Sequence, residues 1–335
     1  MRPSKAVWAA LLGVVTAAGS PTLAKPDPVA PATPRVHHVI SAGSLAFVAE
    51  TGALVIEDLS DPGRPRRVGT LARPGDVRAV ALEGNIAYVA TGTRGLVAVD
   101  VAQSDAPRTL GVHDTAGSVR DVAVQGGVAA LADDARGLEI VSFADPARPR
   151  PLASFPSRDG VRGVAWRGAL LATAEGNGGV RLFDLTHAGT PRRLASIERP
   201  TPALAAALCD DDVLLIAADE AGLRSFDVHD PARPVATGSI AGLGHVRSVS
   251  CEGKLAAVGC GDRGLVLVDL SAPSALRVVG AVERLEGYPA ERVTLAGKLV
   301  LVATGEGGLG VVSIEDPAAP VTLLPRPRKM RILFP

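Results

Sequence analysis

Apolar and polar positions along this chain follow a unit that returns at a nearly constant interval. The unit is clearest as an apolar run that is preceded by glycine and closed by an acidic residue, as in residues 95–100 (GLVAVD). Its leading apolar residue recurs in steps of 42, 42, 42, 43, 42 and 44, at Leu54, Leu96, Leu138, Val180, Leu223, Leu265 and Leu309. A period of about 40 to 45 residues with strand-like content predicts a β-propeller in which each repeat is one blade.

Each repeat contains four short β-rich runs. In the second copy they are residues 77–82, 86–90, 95–101 and 108–112, separated by Gly, Asn, Asp and Pro. We name these runs strands A to D, from the channel outward, and expect an antiparallel meander. Residues 86–90 and 299–303 are apolar at every position, which is typical of sheets buried on both faces and argues against a two-sheet sandwich. The sequence therefore predicts an all-β, seven-bladed propeller over residues 36–325, with all four strands of blade seven supplied locally.

The turn between strands C and D carries a regular Asp-Pro pair in four repeats. An aspartate can cap its own turn by accepting backbone N–H groups, and proline presets the next φ angle. One carboxylate per turn, spread over separate blades, cannot converge on one metal ion. We therefore interpret these aspartates as structural: Asp61, Asp145, Asp230 and Asp316.

The N-terminus has the three regions of a cleaved signal peptide. Basic residues precede an apolar run at residues 6–18, and small residues follow it. The run is shorter than the roughly 20 residues that a membrane-spanning helix needs. We expect a signal peptide at 1–24, a proline-rich spacer at 25–35, no membrane span, and export to the periplasm, cell surface or medium. A tail at 326–335 either crosses blade one or frays.

Charge and cysteine content exclude some classes of partner and scaffold. With 35 basic and 35 acidic residues the formal net charge is zero, so a nucleic-acid partner is not expected. Three cysteines are too few for a disulfide framework, and at least one must be free. We interpret Cys209, Cys251 and Cys260 as small buried hydrophobic residues, and we expect a monomer.

The repeat resembles the LVIVD-repeat family. Residues 96–100 (LVAVD) and 265–269 (LVLVD) follow a glycine and lead into a Ser, Asp and Pro turn. The resemblance covers residue 36 to about 323, although two cores end in serine, at Ser142 and Ser313, and the first has Glu57 before its aspartate. It implies a secreted or surface-exposed propeller of bacteria or archaea, and it brings no general catalytic motif.

Strand A supplies the first candidate site. It opens with Val-Arg in four repeats, at Arg78, Arg120, Arg162 and Arg247, and the other three repeats place His37, Ala205 and Glu291 there. Because the innermost strands surround the channel, these side chains could ring one mouth and bind an anion or a carboxylate-bearing peptide.

The alternative for these arginines is a scaffold role. Each would pair with an aspartate that ends strand C, in its own blade or in the blade before. Pairing within a blade joins Asp100 to Arg78, Asp184 to Arg162 and Asp269 to Arg247. In blade seven, where Glu291 replaces the arginine, strand C ends in Ser313 rather than an acid. The joint loss of the arginine and the aspartate favours pairing within a blade.

A second candidate set lies in the loops between strands B and C. Arg94, Arg136 and Arg263 occur there among several acidic residues. Such a mixed surface suits a protein or peptide partner, and it is equally typical of ordinary solvated loops.

Catalytic and metal-binding patterns are not found. The histidines show no HxH or HExxH spacing, and no nucleophile elbow or phosphate loop occurs. His37 and His38 could act at the channel mouth, or lie at a seam between blades. Aromatic residues are 3% of the chain, which disfavours a sugar platform.

We therefore predict no catalytic residue, no metal and no cofactor, and a scaffold that binds a protein or peptide. The alternatives are a metal-dependent hydrolase or lyase in the channel, and a purely structural surface protein.

Overall fold

The computed structural model describes residues 34–324, apart from residue 135 and residues 199–201. In this part of the chain all regular structure is β, and 28 strands form seven sheets of four antiparallel strands each. Every sheet keeps its strands in chain order. The sheets stand around a ring, so the predicted seven-bladed propeller is confirmed.

The strands of each blade run from the channel outward. Blades one to three are β1 Val36–Ala42, β2 Leu45–Glu50, β3 Ala53–Asp58, β4 Arg66–Ala72; β5 Ala79–Glu83, β6 Ile86–Ala90, β7 Leu96–Asp100, β8 Arg108–His113; β9 Val119–Gln125, β10 Val128–Asp133, β11 Gly137–Ser142 and β12 Arg150–Phe155. Blades four and five are β13 Gly163–Arg167, β14 Leu170–Ala174, β15 Val180–Asp184, β16 Arg192–Ile197; β17 Ala205–Leu208, β18 Val213–Ala217, β19 Leu223–Asp227 and β20 Val235–Ile240. Blades six and seven are β21 Ser248–Glu252, β22 Leu255–Gly259, β23 Leu265–Asp269, β24 Arg277–Val282; β25 Arg292–Ala296, β26 Leu299–Ala303, β27 Leu309–Ser313 and β28 Val321–Thr322.

The hydrophobic cores lie between blades rather than within them. Seven clusters of buried residues are present in the described chain, and each combines side chains from two neighbouring blades. In β7, Leu96 and Ala98 contact blade three, whereas Val97 and Val99 contact blade one. A strand with apolar residues at every position is therefore buried on both faces, as the sequence pattern predicted.

The glycine before strand C is required by backbone geometry. Gly95 has a φ of 80°, and an added Cβ would lie 2.1 Å from the carbonyl oxygen of His113 on strand D. Gly264 repeats both features, with a φ of 87° and the Val282 oxygen at 2.2 Å. A residue with a side chain would be strained by its φ and would push strand D away.

The Asp-Pro turns behave as predicted. Asp145 Oδ1 accepts the backbone N–H of Ala147 at 3.1 Å, and Asp316 Oδ1 accepts that of Ala318 at 2.9 Å. The aspartates therefore cap their own turns.

The ring closes without exchanging a strand. Blade seven owns β28, and its buried residues pack on those of blade one. The Val36 N–H donates to the Gly305 carbonyl at 2.9 Å, the same bond that joins Ala203 to Gly176 at 2.8 Å between blades four and five. The predicted signal peptide at 1–24 and the tail segment lie outside the described residues.

The prediction for two of the three cysteines is wrong. Cys209 and Cys251 form a disulfide that crosses the seam between blades five and six, and only Cys260 is free and buried. The two half-cystines are 42 residues apart, one full repeat, so they occupy neighbouring positions on adjacent blades, Cys209 directly after β17 and Cys251 within β21. A count of three cysteines does not show this pairing, because the two partners come together only when neighbouring blades pack.

Candidate ligand site at the channel mouth

One residue of each blade faces the same end of the channel. It follows the buried valine or alanine that opens the strand A run. We call these seven residues the mouth residues: His37, Arg78, Arg120, Arg162, Leu204, Arg247 and Glu291.

The structure corrects the prediction for blade five, where Leu204 rather than Ala205 is the mouth residue. The Leu204 N–H donates to Ala217 at 2.9 Å, just as the Arg162 N–H donates to Ala174 at 2.8 Å. This repeat has a step of 43 residues rather than 42. The additional residue lies in the turn after strand A, where Asp211 and Asp212 both have positive φ.

The mouth residues surround a cavity of about 530 Å³. Six of the seven line it, and Glu291 is replaced in the lining by Arg292. Asp219 and His245 complete the wall, and His245 Nδ1 lies 2.8 Å from Asp219 Oδ1. The four arginines and His37 that the sequence singled out are thus brought together in one site.

The predicted pairing of these arginines with the strand C aspartates is wrong. Asp100 pairs instead with Arg108 at 2.7 Å, and Asp184 with Arg192 at 3.3 Å. In each case the arginine is directly opposite on strand D. Arg78 lies at the other end of its blade, because Ala79 is opposite Ala90 on strand B whereas Asp100 is opposite Ile86. Only the strand D arginine is therefore within reach of the carboxylate. Asp269 pairs with Arg277 at 2.8 Å in the same manner.

Two mouth arginines have other acidic partners. Arg78 pairs with Asp76 at 2.5 Å, two residues earlier in the chain. Arg120 pairs with Asp134 at 2.5 Å, fourteen residues later at the end of strand B. The fourteen-residue spacing also joins His37 Nε2 to Thr51 Oγ1 at 3.1 Å. A partner fourteen residues after the mouth residue is therefore the sequence signal for these contacts, and it lies after strand B rather than on strand C.

Arg162 and Arg247 have glycine at that later position. An ideal Cβ at Gly176 would lie 2.8 Å from Arg162 Nε, and one at Gly261 would lie 3.5 Å from Arg247 Nε. Each guanidinium therefore lies over a glycine where blade three presents a carboxylate. Among the described residues, neither arginine takes part in an ion pair.

One residue deeper, an ion pair spans the channel. Arg292 of blade seven reaches Asp121 of blade three, with Nη2 2.6 Å from Oδ1. The Asp121 side chain is 6% exposed, and its Oδ2 accepts the Val164 N–H at 3.1 Å. Neither residue stands out in the sequence, because the two come from blades that are distant in the chain.

His38 lies at a seam between blades. Its Nδ1 accepts the Val80 N–H of blade two at 3.2 Å, which satisfies a donor on the free edge of strand A. Burial, followed by the charge of Arg292, lowers the pKa of His38 well below its ordinary value. Ser248 of blade six makes the same kind of contact with blade seven, because its Oγ accepts the Val293 N–H at 3.1 Å.

His37 remains at the mouth. Burial, followed by the charge of Arg78, lowers its pKa below the ordinary value. The lowered pKa favours the neutral imidazole, so the arginines rather than His37 supply positive charge to the cavity.

The loop arginines lie outside this cavity. Arg94 and Arg263 donate to carbonyl groups of the loop before strand A, at Arg73 (3.5 Å) and Gly242 (2.7 Å). Arg136 is exposed. Arg263 also lines a separate cavity of about 620 Å³.

Within the described range, no group of three or more His, Cys, Asp and Glu side chains is placed to hold a metal ion. No helix in that range is long and apolar enough to cross a membrane.

Three solved structures that resemble this fold have little sequence identity to the chain. A functionally unknown protein from Desulfotomaculum acetoxidans DSM 771 has a TM-score of 0.70 and 13% identity, over 81% of this chain and 93% of that one. The structure of U3-55K has a TM-score of 0.65 and 13% identity, over 83% and 90%. Saccharomyces cerevisiae Sqt1 has a TM-score of 0.64 and 13% identity, over 85% and 84%. At such identities these likenesses show the fold alone.

Comparison with curated proteins finds no match. The LVIVD repeat matches five segments, which together make up more than half of the chain: residues 36–72, 74–111, 116–154, 243–283 and 287–324. Blades four and five are not matched, although they have the same four-stranded form. By its matched repeats and their blades, the chain belongs to the LVIVD repeat family.

Proposed function

We propose that this protein is an exported interaction scaffold that binds a protein or peptide at the channel mouth and the loops around it. The observation that carries the proposal is the 530 Å³ cavity, where arginine side chains from five blades converge. Its volume lies within the range of about 300 to 1,000 Å³ that is usual for ligand pockets. Convergent guanidinium groups attract and orient acidic partners.

The loops around the mouth extend this surface. The loop after strand B touches the start of strand A in the next blade, as in the bridges of Gly176 with Ala203 and Gly261 with Ala290. Both kinds of loop therefore share one face with the cavity. A charged concave centre within a ring of mixed loops suits a macromolecular partner.

Two observations support export. The chain carries the three regions of a signal peptide in order. The disulfide between Cys209 and Cys251 is a bond that persists mainly in oxidising compartments.

To test binding, peptides that bind the purified protein are selected from a random library, and their affinity is measured for three forms of the protein. The forms are the unchanged protein, the double variant Arg162→Met/Arg247→Met, and the control Lys298→Met, which alters an exposed lysine in a turn at the opposite end of a blade. We expect the double variant to lose about tenfold in affinity or more, because charge-assisted bonds are removed. Failure to select any peptide, or equal binding to all three forms, would contradict the proposal and favour a purely structural role.

Export is tested separately by expressing the whole chain in a bacterial host. We expect the mature protein to be found outside the cytoplasm, with a mass that corresponds to loss of residues 1–24. Full-length protein retained in the cytoplasm would contradict export without affecting the binding result.

A further inference from the structure

The mouth is not evenly charged around the ring, and the imbalance lies in blades four to six. Arg78, Arg120 and Arg292 each have an acid at 2.6 Å or less. Arg162 and Arg247 have none among the described residues, and they line the same cavity. Two unmatched positive charges therefore face one space.

The residue between these two blades is apolar. Leu204 is the mouth residue of blade five and lines the cavity between the two arginines along the ring. The acid of that blade, Asp219, is engaged by His245 at 2.8 Å. An anion that reaches both guanidinium groups thus has an aliphatic surface beside it.

The depth of the site is limited by the ion pair below it. Arg292 and Asp121 join opposite sides of the channel one residue deeper than the mouth. A ligand that enters from this end is therefore held at the mouth, where a chain end fits better than a chain that passes through.

Building on the proposed function, we propose that Arg162, Leu204 and Arg247 form a cradle for the C-terminal carboxylate of a peptide. The two guanidinium groups bind the carboxylate, and the last side chain of the peptide lies on Leu204. Arginine suits this role because its planar donors match a carboxylate in bidentate fashion. A single negative charge also suits this opening, because Asp219 lines the cavity and Asp76 and Asp134 pair with two of the lining arginines.

Blades three and five show how a carboxylate of the protein itself can neutralise a mouth arginine. Asp134 occupies the position fourteen residues after Arg120 and neutralises it. Asp219, at the corresponding place in blade five, has a φ of 51°, close to the 55° of Gly261. An aspartate can therefore adopt the backbone of Gly261, where its Cβ would lie in ordinary contact with Arg247. Gly261→Asp should supply an internal carboxylate, and Gly261→Asn is the matched uncharged control.

The experiment measures binding of N-acetyl-Ala-Ala-Leu as the free acid and as the C-terminal amide by isothermal titration calorimetry. We expect the acid to bind about tenfold more tightly or more, because only it offers the charged acceptor. Gly261→Asp should remove this preference, whereas Gly261→Asn should retain it. Equal binding of acid and amide, or no effect of Gly261→Asp, would overturn the cradle.

Two further probes separate the sources of the negative charge. An amidated peptide with an internal glutamate should bind more weakly than the free acid, and inorganic phosphate should not compete at equal concentration. Tighter binding of either probe than of the free acid would overturn the terminal-carboxylate assignment. If peptides selected as above still bind the mouth without any preference for a free carboxylate, the cradle fails while the scaffold proposal stands.

Discussion

Aspartate and arginine side chains in this propeller perform different tasks according to which strand lies beside them. The five aspartates that end strand C accept the backbone N–H two residues on, and four of them also pair with the first arginine of strand D. Asp58 does so with Ser60 and Arg66. The serines that end strand C in blades three and seven retain only the backbone contact: Ser142 Oγ accepts the Ala144 N–H at 3.4 Å, and Ser313 Oγ accepts the Glu315 N–H at 3.5 Å.

The strand C carboxylates predict a pH dependence of stability, and Asp269 is the clearest case. Hydrogen bonds from the Ser271 hydroxyl and N–H, and then from Arg277, lower the pKa of Asp269 to about 2. A carboxyl whose folded pKa is depressed stabilises the fold above its unfolded pKa of about 3.9, and this contribution is lost as the pH falls towards 2. We expect Asp269→Asn to lower the melting temperature at pH 7, with a difference that shrinks as the pH approaches 2.

The matched control for Asp269 is Asp227→Asn. Asp227 accepts the His229 N–H at 2.8 Å, but the residue opposite it on strand D is Val235 rather than arginine. Its substitution should cost less stability, as thermal unfolding at several pH values would show. An equal loss in both variants at every pH would refute the role of the arginine.

The ion pair in the channel predicts a larger cost. Arg292 is 24% exposed and Asp121 only 6%, so Arg292→Met leaves a buried carboxylate without its cation. We expect a loss on the order of 3 kcal/mol in the free energy of unfolding, measured by urea titration. The double variant Arg292→Met/Asp121→Asn should recover most of it, because the isolated charge is then removed.

Arg120→Met serves as the exposed control for this measurement. Its pair with Asp134 has side chains 49% and 34% exposed, so its loss should cost no more than about 1 kcal/mol. An Arg292→Met variant as stable as Arg120→Met would mean that the channel pair does not hold the ring together.

The inner strands are joined to each other by side chains rather than by sheet hydrogen bonds. His38, Asp121 and Ser248 each accept a backbone N–H of the next blade, and thereby cover donors on an otherwise open sheet edge. The turns after strand A form similar links, since Glu83 accepts the Gly127 N–H at 2.8 Å. Such links fix the angle between blades, and the mouth residues take their positions from that angle.

The disulfide is the covalent form of such a link, and it predicts sensitivity to reduction. Replacing both half-cystines in Cys209→Ser/Cys251→Ser should lower the free energy of unfolding by about 2 to 4 kcal/mol, the usual range for closing a loop of this kind. Reductant should bring the unchanged protein to the same stability and leave the variant unaffected. Urea unfolding with and without reductant measures both.

Cys260 provides the control for that experiment. It is buried, and burial raises the pKa of its thiol to about 12, so it should not react with iodoacetamide in the folded protein. Cys260→Ser should therefore leave the effect of reductant unchanged. A reductant effect that vanishes in Cys260→Ser would contradict the assignment of the bond.

The closed ring makes the seven blades one folding unit. Every cluster of the core described above belongs to two blades, so no blade can unfold without exposing the cores of both neighbours. An open array of repeats can fray from its ends, whereas this ring joins its ends through Val36 and Gly305.

Cooperative unfolding of the ring can be followed from a single tryptophan. The chain has two tryptophans, Trp8 in the predicted signal peptide and Trp166 in blade four. After loss of the signal peptide, fluorescence reports blade four alone, and circular dichroism reports all the strands. We expect the two transitions in urea to coincide. A fluorescence midpoint clearly apart from that of the dichroism would show that blade four unfolds separately from the rest of the ring.

Much of the fold could be predicted because its signals are local and repeated. The period set the number of blades, the apolar runs implied burial on both faces, and the Asp-Pro pairs marked the turns. The arginines of the candidate site were also visible, since Arg78, Arg120, Arg162 and Arg247 recur at the opening of strand A. These features depend on neighbours within one repeat, and a sequence displays such neighbours directly.

Contacts that cross from blade to blade could be seen only in the folded ring. The bond of Cys209 with Cys251, the pair of Arg292 with Asp121 and the choice of Leu204 as mouth residue all depend on the register of one blade against another. A periodic sequence offers many equivalent partners for each side chain, and the chain itself does not rank them. Packing of the inner strands around the channel selects among them, which is why charge balance at the mouth, and with it the candidate site, emerges from the tertiary structure.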